Sequence, residues 1–260
     1  MRALPDSVER ALRRFEPLAE LSAETIAHIS EGARAQRLPR GGRLWRTGQP
    51  AHEVFLVGRG LVSLHQVGGA SGKVVVDFGG PGDLLRVENA VRRSVHDTTA
   101  YVVSEQAHVI VLSAEALQGA WRVDAALRKA FVRQVTRGPS SLERKLRVLA
   151  AGSARARLAA ALLELAGRYG RDVGSSIVLP FAPPAVELAD FAGVPRAQAA
   201  AIVERWGAHD VLYPYDDALV IEAPRVLEGL ARGERVSHVH PSCSAGPRGG
   251  FRPSHAAASA

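Results

Sequence analysis

The spacing of hydrophobic residues changes twice along the chain. Residues 18–31 carry leucine and isoleucine at near-helical spacing, with Ser22 as the expected N-cap. Between Ala35 and Ser113, short runs of alternating or β-branched residues recur at intervals of roughly ten residues, with glycine or proline between them. This part of the pattern predicts one helix followed by a small antiparallel sandwich or barrel.

A helical pattern returns after Ser113 and predicts a long helix with an interruption. Its apolar residues keep one phase, as in the seam between two paired helices. They are Leu127, Phe131, Val135, Leu142, Leu146 and Leu149. Proline inside a helix removes a hydrogen bond, so Gly138-Pro139 interrupts the seam, and residues 140–143 match a capping box that restarts it. We therefore predict a dimerisation helix over residues 121–153 that is kinked or broken near 138–139.

The remaining segments read as a second, smaller unit. A helix, RARLAAALLELAGRYG, leads into the short run SSIVLP and then into AVELADFAGVPRAQAAAIVERW. The rhythm of this last run is that of two helices joined by a tight glycine turn, and VLYPYDDALVIEAP follows as a two-strand hairpin. The order predicts a winged helix-turn-helix over residues 154–233. Residues 234–260 are rich in Ser, Gly, Pro, Ala and His, and predict a disordered tail.

Charge is distributed unevenly between these parts. The formal net charge is +7. Residues 121–153 hold 8 basic and 2 acidic side chains, a net of +6, whereas residues 154–233 hold 8 and 10, a net of −2. The basic excess favours an anionic partner. No apolar run approaches the ~20 residues of a membrane span, and the N-terminus lacks the pattern of a signal peptide, so we expect a cytoplasmic protein with no membrane association.

Residues that could carry catalysis or bind a metal are few. Because Cys243 is the single cysteine, internal disulfides and four-cysteine zinc or iron–sulfur cages within one chain are excluded. HVHPSC, at 238–243, has soft metal ligands but falls in the predicted tail, and no metal site is predicted there. A haem stays open, since His52, His65, His96 and His108 all fall in the predicted sandwich. No catalytic residue and no cofactor is predicted, and the chain does not read as an enzyme.

The order of parts resembles the Crp–Fnr superfamily of bacterial transcription regulators. The likeness covers about residues 15–232 and is carried by RLPRGGRLWRTGQPAHEVFLVGRGLVSL at 37–64, GPGDLL at 80–85, ARARLAAALLELA and LADFAGVPRAQAAAIVERW. The resemblance implies an α+β fold with an N-terminal double-stranded β-roll, similar to cyclic-nucleotide-binding domains, over residues 15–120. A dimerisation helix and a winged helix-turn-helix would follow. It also implies a homodimer that binds double-stranded DNA, answers to a small-molecule effector and admits RNA polymerase as a further partner.

The effector pocket departs from the family pattern. Relatives use a Gly-Glu-Leu turn after the Gly-Asp pair and an Arg-Ser pair further on, which bind the ribose and the cyclic phosphate. Here the glutamate place falls on Val87, with Glu88 one step out of phase on the expected strand. The Arg-Ser place is Thr98-Thr99, which cannot neutralise a phosphate, so cyclic AMP is not expected as the effector. The candidate pocket residues are Arg86, Glu88, Asn89, Thr98 and Thr99.

The resemblance also assigns the DNA-reading residues. It places a supporting helix at Glu187–Phe191, a turn at 192–194 and a recognition helix at Pro195–Trp206. Arg196 matches the family's usual arginine, which can fork onto guanine O6 and N7, whereas Ala197 and Ala201 stand where relatives carry further readers. The candidate DNA contacts are Arg196, Ala197, Gln198, Ala200, Ala201 and Arg205.

Two functions remain open at this point. The first is a DNA-binding transcription regulator with a reduced base-reading code. The alternative is a sensor or scaffold that binds an effector or a protein partner and keeps its helix-turn-helix only as a packing unit.

Overall fold

The N-terminal helices cap one side of the molecule. In the computed structural model, which describes residues 5–68, 72–136 and 140–234, three short helices open the chain. They are α1 Pro5–Leu12, α2 Glu16–Ala19 and α3 Ala23–Ser30. The hydroxyl of Ser22 accepts the N–H of Thr25 at 3.1 Å, which confirms the predicted N-cap and starts α3 one residue later.

The predicted strands form two four-stranded antiparallel sheets. In chain order the elements are β1 Arg34–Pro39, β2 Arg43–Trp45, β3 Glu53–Arg59, β4 Val62–Gly68, β5 Gly72–Gly79, β6 Leu84–Leu85, α4 Val87–Val91, β7 Thr99–Val102 and β8 Gln106–Ser113. One sheet has the order β1-β8-β3-β6 and the other β2-β7-β4-β5. This pairing is a β-roll, as the resemblance implies.

Strand β3 shows why this region forms a layered core. Val54 and Leu56 share a buried cluster with the N-terminal helices, whereas Phe55 and Val57 pack in the cluster enclosed by the two sheets. Side chains alternate across a strand, so an uninterrupted apolar run serves both layers at once. The β-roll is therefore buried on the helical side as well as inside.

Helices dominate the rest of the chain. They are α5 Ala114–Val123, α6 Ala125–Thr136, α7 Ser141–Ala150, α8 Ala154–Tyr169, α9 Ala185–Ala192, α10 Arg196–Ala208 and α11 Pro224–Ala231. A third antiparallel sheet, in the order β11-β12-β10-β9, contains β9 Arg171–Val173, β10 Ser176–Leu179, β11 Leu212–Tyr215 and β12 Ala218–Ile221. The helix pair α9–α10 beside this sheet fits a helix-turn-helix.

The predicted interruption of the long helix coincides with two separate helices, α6 and α7. Gly138-Pro139 itself lies outside the described residues. On the far side, Ser140 N–H donates to Glu143 Oε2 at 2.6 Å and Glu143 N–H donates to Ser140 Oγ at 3.3 Å. This reciprocal pair confirms the predicted capping box and the restart of the helix at Ser140.

The predicted dimer seam is wrong at its first position. Leu127 has no exposed surface and packs with the N-terminal helices and α5 in one cluster, so it faces the core of its own chain. By contrast, Leu142 is 66% and Leu146 55% exposed, with Leu149 beside them at 39%. The side chains of Phe131 and Val135 lie outside the described residues. Helical spacing groups these residues but cannot tell an internal neighbour from a second chain.

Two further expectations meet the limits of the described chain. Within residues 5–68, 72–136 and 140–234, no helix is long and apolar enough to cross a membrane. The predicted tail lies almost wholly outside the described residues, together with His238, His240 and Cys243. The predicted domain boundaries stay predictions.

Candidate nucleic-acid interface and the contacts behind it

A left-handed glycine joins the two helices of the candidate interface. Gly193 ends α9 with φ of 60° and ψ of 42°, a conformation that costs other residues free energy because of their Cβ atom. A Cβ at this position would also come within 3.1 Å of Leu149 Cδ2. Pro195 is the N-cap of α10, so this helix begins at Arg196, one residue later than predicted. It ends at Ala208, beyond the predicted Trp206.

The inner faces of α9 and α10 are fixed by packing. Leu188, Val194 and Trp206 are buried, and Ile202 and Val203 pack partly buried against the same cluster. The family pattern predicts that all five face the core, and the structure confirms this prediction. The position of α10 relative to α9 is therefore set by apolar contacts.

The opposite face of α10 is open to solvent. All six candidate DNA contacts are exposed, together with Glu204. They are Arg196, Ala197, Gln198, Ala200, Ala201 and Arg205. The structure therefore brings the predicted residues together on one accessible helix face.

Arg196 is engaged by an acidic residue that the sequence reading missed. Its Nε lies 3.1 Å from Asp190 Oδ1 and its Nη2 lies 2.7 Å from Asp190 Oδ2. The hydrogen bond and the charge of Asp190 raise the pKa of the Arg196 guanidinium. Asp190 stands on the last turn of α9, and only the folded glycine turn brings it to the start of α10.

A buried lysine holds the end of α9 against strand β5 of the β-roll. Lys145, on α7, donates through Nζ to the carbonyl oxygen of Val75 on β5 at 2.7 Å. The same ammonium donates to the carbonyl oxygens of Phe191 and of Asp190, the latter at 3.3 Å. A cation at a helix C-terminus satisfies carbonyl groups that the helix leaves open. Burial of Lys145 nevertheless lowers its pKa to about 8.

A network of charges joins the β-roll to α7 and α8. Asp77, on β5, accepts from Arg144 at 2.7 Å and from Arg168 at 3.1 Å. Arg168 also reaches Asp83 at 2.9 Å, and the hydroxyl of Tyr169 donates to the same carboxylate. Burial raises the pKa of Tyr169. Most of these side chains are largely buried, so the charges are compensated within the protein.

Two further contacts run from the β-roll to the C-terminal unit. His65 Nε2, on β4, lies 3.3 Å from Glu187 Oε2 on α9 and 2.6 Å from Ser63 Oγ. Arg59, at the end of β3, donates to Asp217 in the β11–β12 turn at 2.8 Å. The α9–α10 pair and the β11–β12 hairpin are thus both tied to the β-roll.

The residues expected in the effector pocket lie in two places: Arg86, Glu88 and Asn89 at α4, and Thr98 and Thr99 at the start of β7. Val87 begins the short helix α4, so the argument that Glu88 slips to the other face of a strand is wrong; Glu88 is exposed and pairs with Arg86 at 3.3 Å. Thr98 is buried, whereas Thr99 accepts the N–H of Thr47 at 3.1 Å and is only partly buried. Thr98 therefore faces the interior of the protein, whereas the hydroxyl of Thr99 binds the backbone of Thr47.

Several buried polar atoms near this region have no hydrogen-bond partner in the structure. They are Trp45 Nε1, Arg86 Nε, Asn89 Nδ2, His96 Nδ1 and Thr98 Oγ1. The rings of Trp45 and His96 stack with centroids 4.7 Å apart, and burial lowers the pKa of His96. Trp45 was not a candidate from the sequence. These groups add hydrogen-bonding capacity to the predicted Arg86, Asn89 and Thr98.

The four histidines considered for haem lie in different surroundings. His52 is exposed, His65 pairs with Glu187, His96 stacks on Trp45 and His108 is partly buried on β8 with a lowered pKa, chiefly from burial. Among the described residues, no group of three or more His, Cys, Asp or Glu side chains could hold a metal ion.

Comparison with known protein families matches the β-roll. Residues 35–123 match the family described as cyclic nucleotide-binding domain. No curated protein matches the sequence at a significant level. The matched residues hold most of the β-roll, which is thus similar to a known domain family.

Solved structures extend the likeness beyond the β-roll. FixK2 from Bradyrhizobium japonicum is 19% identical, with a TM-score of 0.61 over 79% of this chain and 99% of that chain. A transcriptional regulator of the CRP/FNR family from Thermus thermophilus is 20% identical, with a TM-score of 0.55 over 76% and 98%. The c-di-GMP responsive regulator CLP from Xanthomonas campestris is 19% identical, with a TM-score of 0.55 over 77% and 99%. These likenesses establish that the chain shares the fold of these regulators.

Proposed function

We propose that the protein is a homodimeric transcription regulator that binds double-stranded DNA through α10. The observation that carries this proposal is the exposed first turn of α10, where Arg196 presents a guanidinium from a helix whose inner face is buried. An arginine in this place can donate two hydrogen bonds to one guanine in the major groove. Helix α10 with the β11–β12 hairpin then acts as a winged helix-turn-helix within residues 154–233.

The proposed dimer interface is the exposed stripe of α7. Leu142, Leu146 and Leu149 lie on one face of this helix at spacings of four and three residues. Large apolar side chains in a row at the surface mark an interaction site more often than scattered ones do. A two-fold dimer pairs this stripe with itself and presents two copies of α10 to the two half-sites of an operator.

The proposed effector site is the interior of the β-roll, within residues 15–120. Thr98 stands where relatives carry the arginine that binds a cyclic phosphate, and Glu88 is exposed and paired with Arg86. Both features argue against cyclic AMP. An effector of another kind would shift the dimer between two geometries only by its differential affinity for them.

Selection of operators from random DNA tests the proposal. Fluorescence anisotropy then compares the selected operator with random DNA over a salt series, since phosphate contacts set the salt slope. We expect a preferred sequence with two related half-sites and a shallow slope, because residues 154–233 carry a net charge of −2 (8 basic and 10 acidic).

A preferred sequence distinguishes this function from the alternative. The exposed face of α10 carries Ala197, Ala200 and Ala201, which have no hydrogen-bonding side chain, and this favours a scaffold with a vestigial helix-turn-helix as the second candidate. If selection yields no preferred site, the scaffold function replaces the regulator.

A further inference from the structure

The pair between Asp190 and Arg196 uses one edge of the guanidinium and leaves the other open. Asp190 takes the Nε and Nη2 edge, at 3.1 and 2.7 Å. A guanidinium has five N–H donors, so three remain, including both on Nη1. The Nη1–Nη2 edge can still fork onto the O6 and N7 atoms of a guanine.

The carboxylate that holds Arg196 is itself fixed. The side chain of Asp190 is 17% exposed, against 66% for Arg196. Its carbonyl oxygen and that of Phe191 accept from the buried Lys145, which also reaches Val75 on the sensor strand. The arginine therefore pairs with a group on a packed helix end rather than with another mobile surface chain.

The neighbouring residues make the orientation of Arg196 decisive. The exposed positions next to it on the same face, Ala197 and Ala200, offer only methyl groups. An unsupported arginine loses rotamer freedom when it docks on a base, whereas a guanidinium already held along one edge loses less.

The geometry points to Asp190 as a positioning residue that orients Arg196 for reading guanine, an inference that rests on the proposed DNA-binding function. Asp190 is not a contact to DNA. Its negative charge lowers the general attraction to phosphate, but the engaged edge is the one that guanine does not need. Asp190 thus sacrifices some non-specific affinity and raises discrimination at one base pair.

The test is Asp190→Asn in the full chain, on the operator selected by the wild type. The variant keeps the shape of the side chain but cannot accept from both Nε and Nη2. We expect binding to the operator to weaken about 10-fold, within the range of a bidentate base contact, and binding to random DNA to stay equal or become slightly tighter. Asp172→Asn makes the same change of charge on β9, away from α10, and is expected to leave operator binding unchanged.

A modified operator separates orientation from stability. Replacing the contacted guanine with 7-deazaguanine removes the N7 acceptor, which should weaken wild-type binding about 10-fold and Asp190→Asn binding much less. In an Arg196→Ala background, Asp190→Asn should no longer weaken operator binding. The 7-deazaguanine comparison holds even if the variant is less stable, because each ratio of affinities is measured within one protein.

The outcomes are distinct. If the wild type selects no operator, the proposed function and this inference are both overturned. If the wild type has an operator and Asp190→Asn binds it equally or more tightly, only the role of Asp190 is overturned. The same holds if Asp190→Asn weakens operator binding as much in the Arg196→Ala background as in the wild type.

Discussion

The Nζ atom of Lys145 lies 2.7 Å from the carbonyl oxygen of Val75. Helix α7, which carries the proposed dimer stripe, is thereby joined to strand β5 by a buried side chain. The same ammonium holds the carbonyl end of α9. One side chain therefore connects β5 of the β-roll, the proposed dimer helix α7, and α9 of the candidate DNA interface.

This contact gives the stability of the protein a specific pH dependence. The pKa of Lys145 falls from 10.5 to about 8 on folding, because burial disfavours the charged form. Between these values the unfolded chain keeps the proton that the folded chain has released, so stability rises with pH. We expect the free energy of unfolding of the wild type, minus that of Lys145→Met, to increase as the pH rises from 8 towards 10.5.

Urea titrations at several pH values measure this difference, and the comparison cancels all other titrating groups that the variant retains. A difference that stays constant or falls over this window would contradict the assigned burial of the ammonium.

The second prediction concerns the charges at the base of α8. Asp77 compensates both Arg144 and Arg168, and removing one partner of a buried ion pair leaves the other charges uncompensated. Asp77→Asn should therefore lower the free energy of unfolding by about 2–4 kcal/mol. Chemical denaturation followed by tryptophan fluorescence measures the change, with Asp172→Asn as the exposed control. A loss as small as that of the control would show that the network contributes little.

The third prediction separates Leu127 from Leu142 and Leu146, which share one sequence pattern with it. Leu142→Glu combined with Leu146→Glu places charges in the exposed stripe of α7 and should give monomers at micromolar protein. Leu127→Ala opens a cavity in the core and should lower stability by about 2–5 kcal/mol while leaving the folded protein dimeric. Analytical ultracentrifugation at moderate salt distinguishes them, and a wild type that sediments as a monomer would refute the proposed interface.

The fourth prediction concerns base reading against phosphate binding. Arg196→Ala should cost about 1–3 kcal/mol per subunit contact on the selected operator and little on random DNA. Gln198→Ala and Arg205→Ala should weaken both kinds of DNA alike, and the loss of a phosphate contact by Arg205→Ala should lower the salt slope by about one. Anisotropy titrations give all three results. If Arg196→Ala loses the same affinity for the operator and for random DNA, Arg196 contacts the phosphate backbone instead of a base.

The fifth prediction concerns the effector. Thr98 can donate one hydrogen bond to a phosphate but supplies no positive charge, and Glu88 lies on the exposed start of α4. Cyclic AMP should therefore show no binding at micromolar concentration in a calorimetric titration. Micromolar or tighter binding would mean that another group, rather than Thr98, meets the phosphate.

Local rules explain what could be read from the sequence. The strands of the β-roll, the cap at Ser22 and the capping box at Ser140 depend on neighbouring residues only, and all three were predicted correctly. The family resemblance placed Leu188, Val194 and Trp206 in the core of the helix pair, and the structure buries all three.

Long-range contacts explain what could not be read. Periodicity placed Leu127 in a seam because a helix face is the same whether it meets its own chain or another. Lys145, Asp77 and Asp190 acquire their partners only through the packing of β5, α7 and α9, and a lysine or aspartate in sequence carries no sign of burial. Helix α4 stands where a strand was expected, because five residues are too few for the spacing of apolar residues to distinguish a helix from a strand.

The ring of Phe78, on β5, lies 5.1 Å from the ring of Phe191 at the end of α9. Both rings belong to the buried cluster that the C-terminal helices share with β5, so α9 cannot swing away from β5 without exposing two aromatic surfaces to water. In a dimer, the distance between the two recognition helices must match about one turn of DNA, roughly 34 Å. In the proposed dimer, the packing of α9 on β5 therefore helps to set that distance, and an operator with another half-site spacing has to deform to bind.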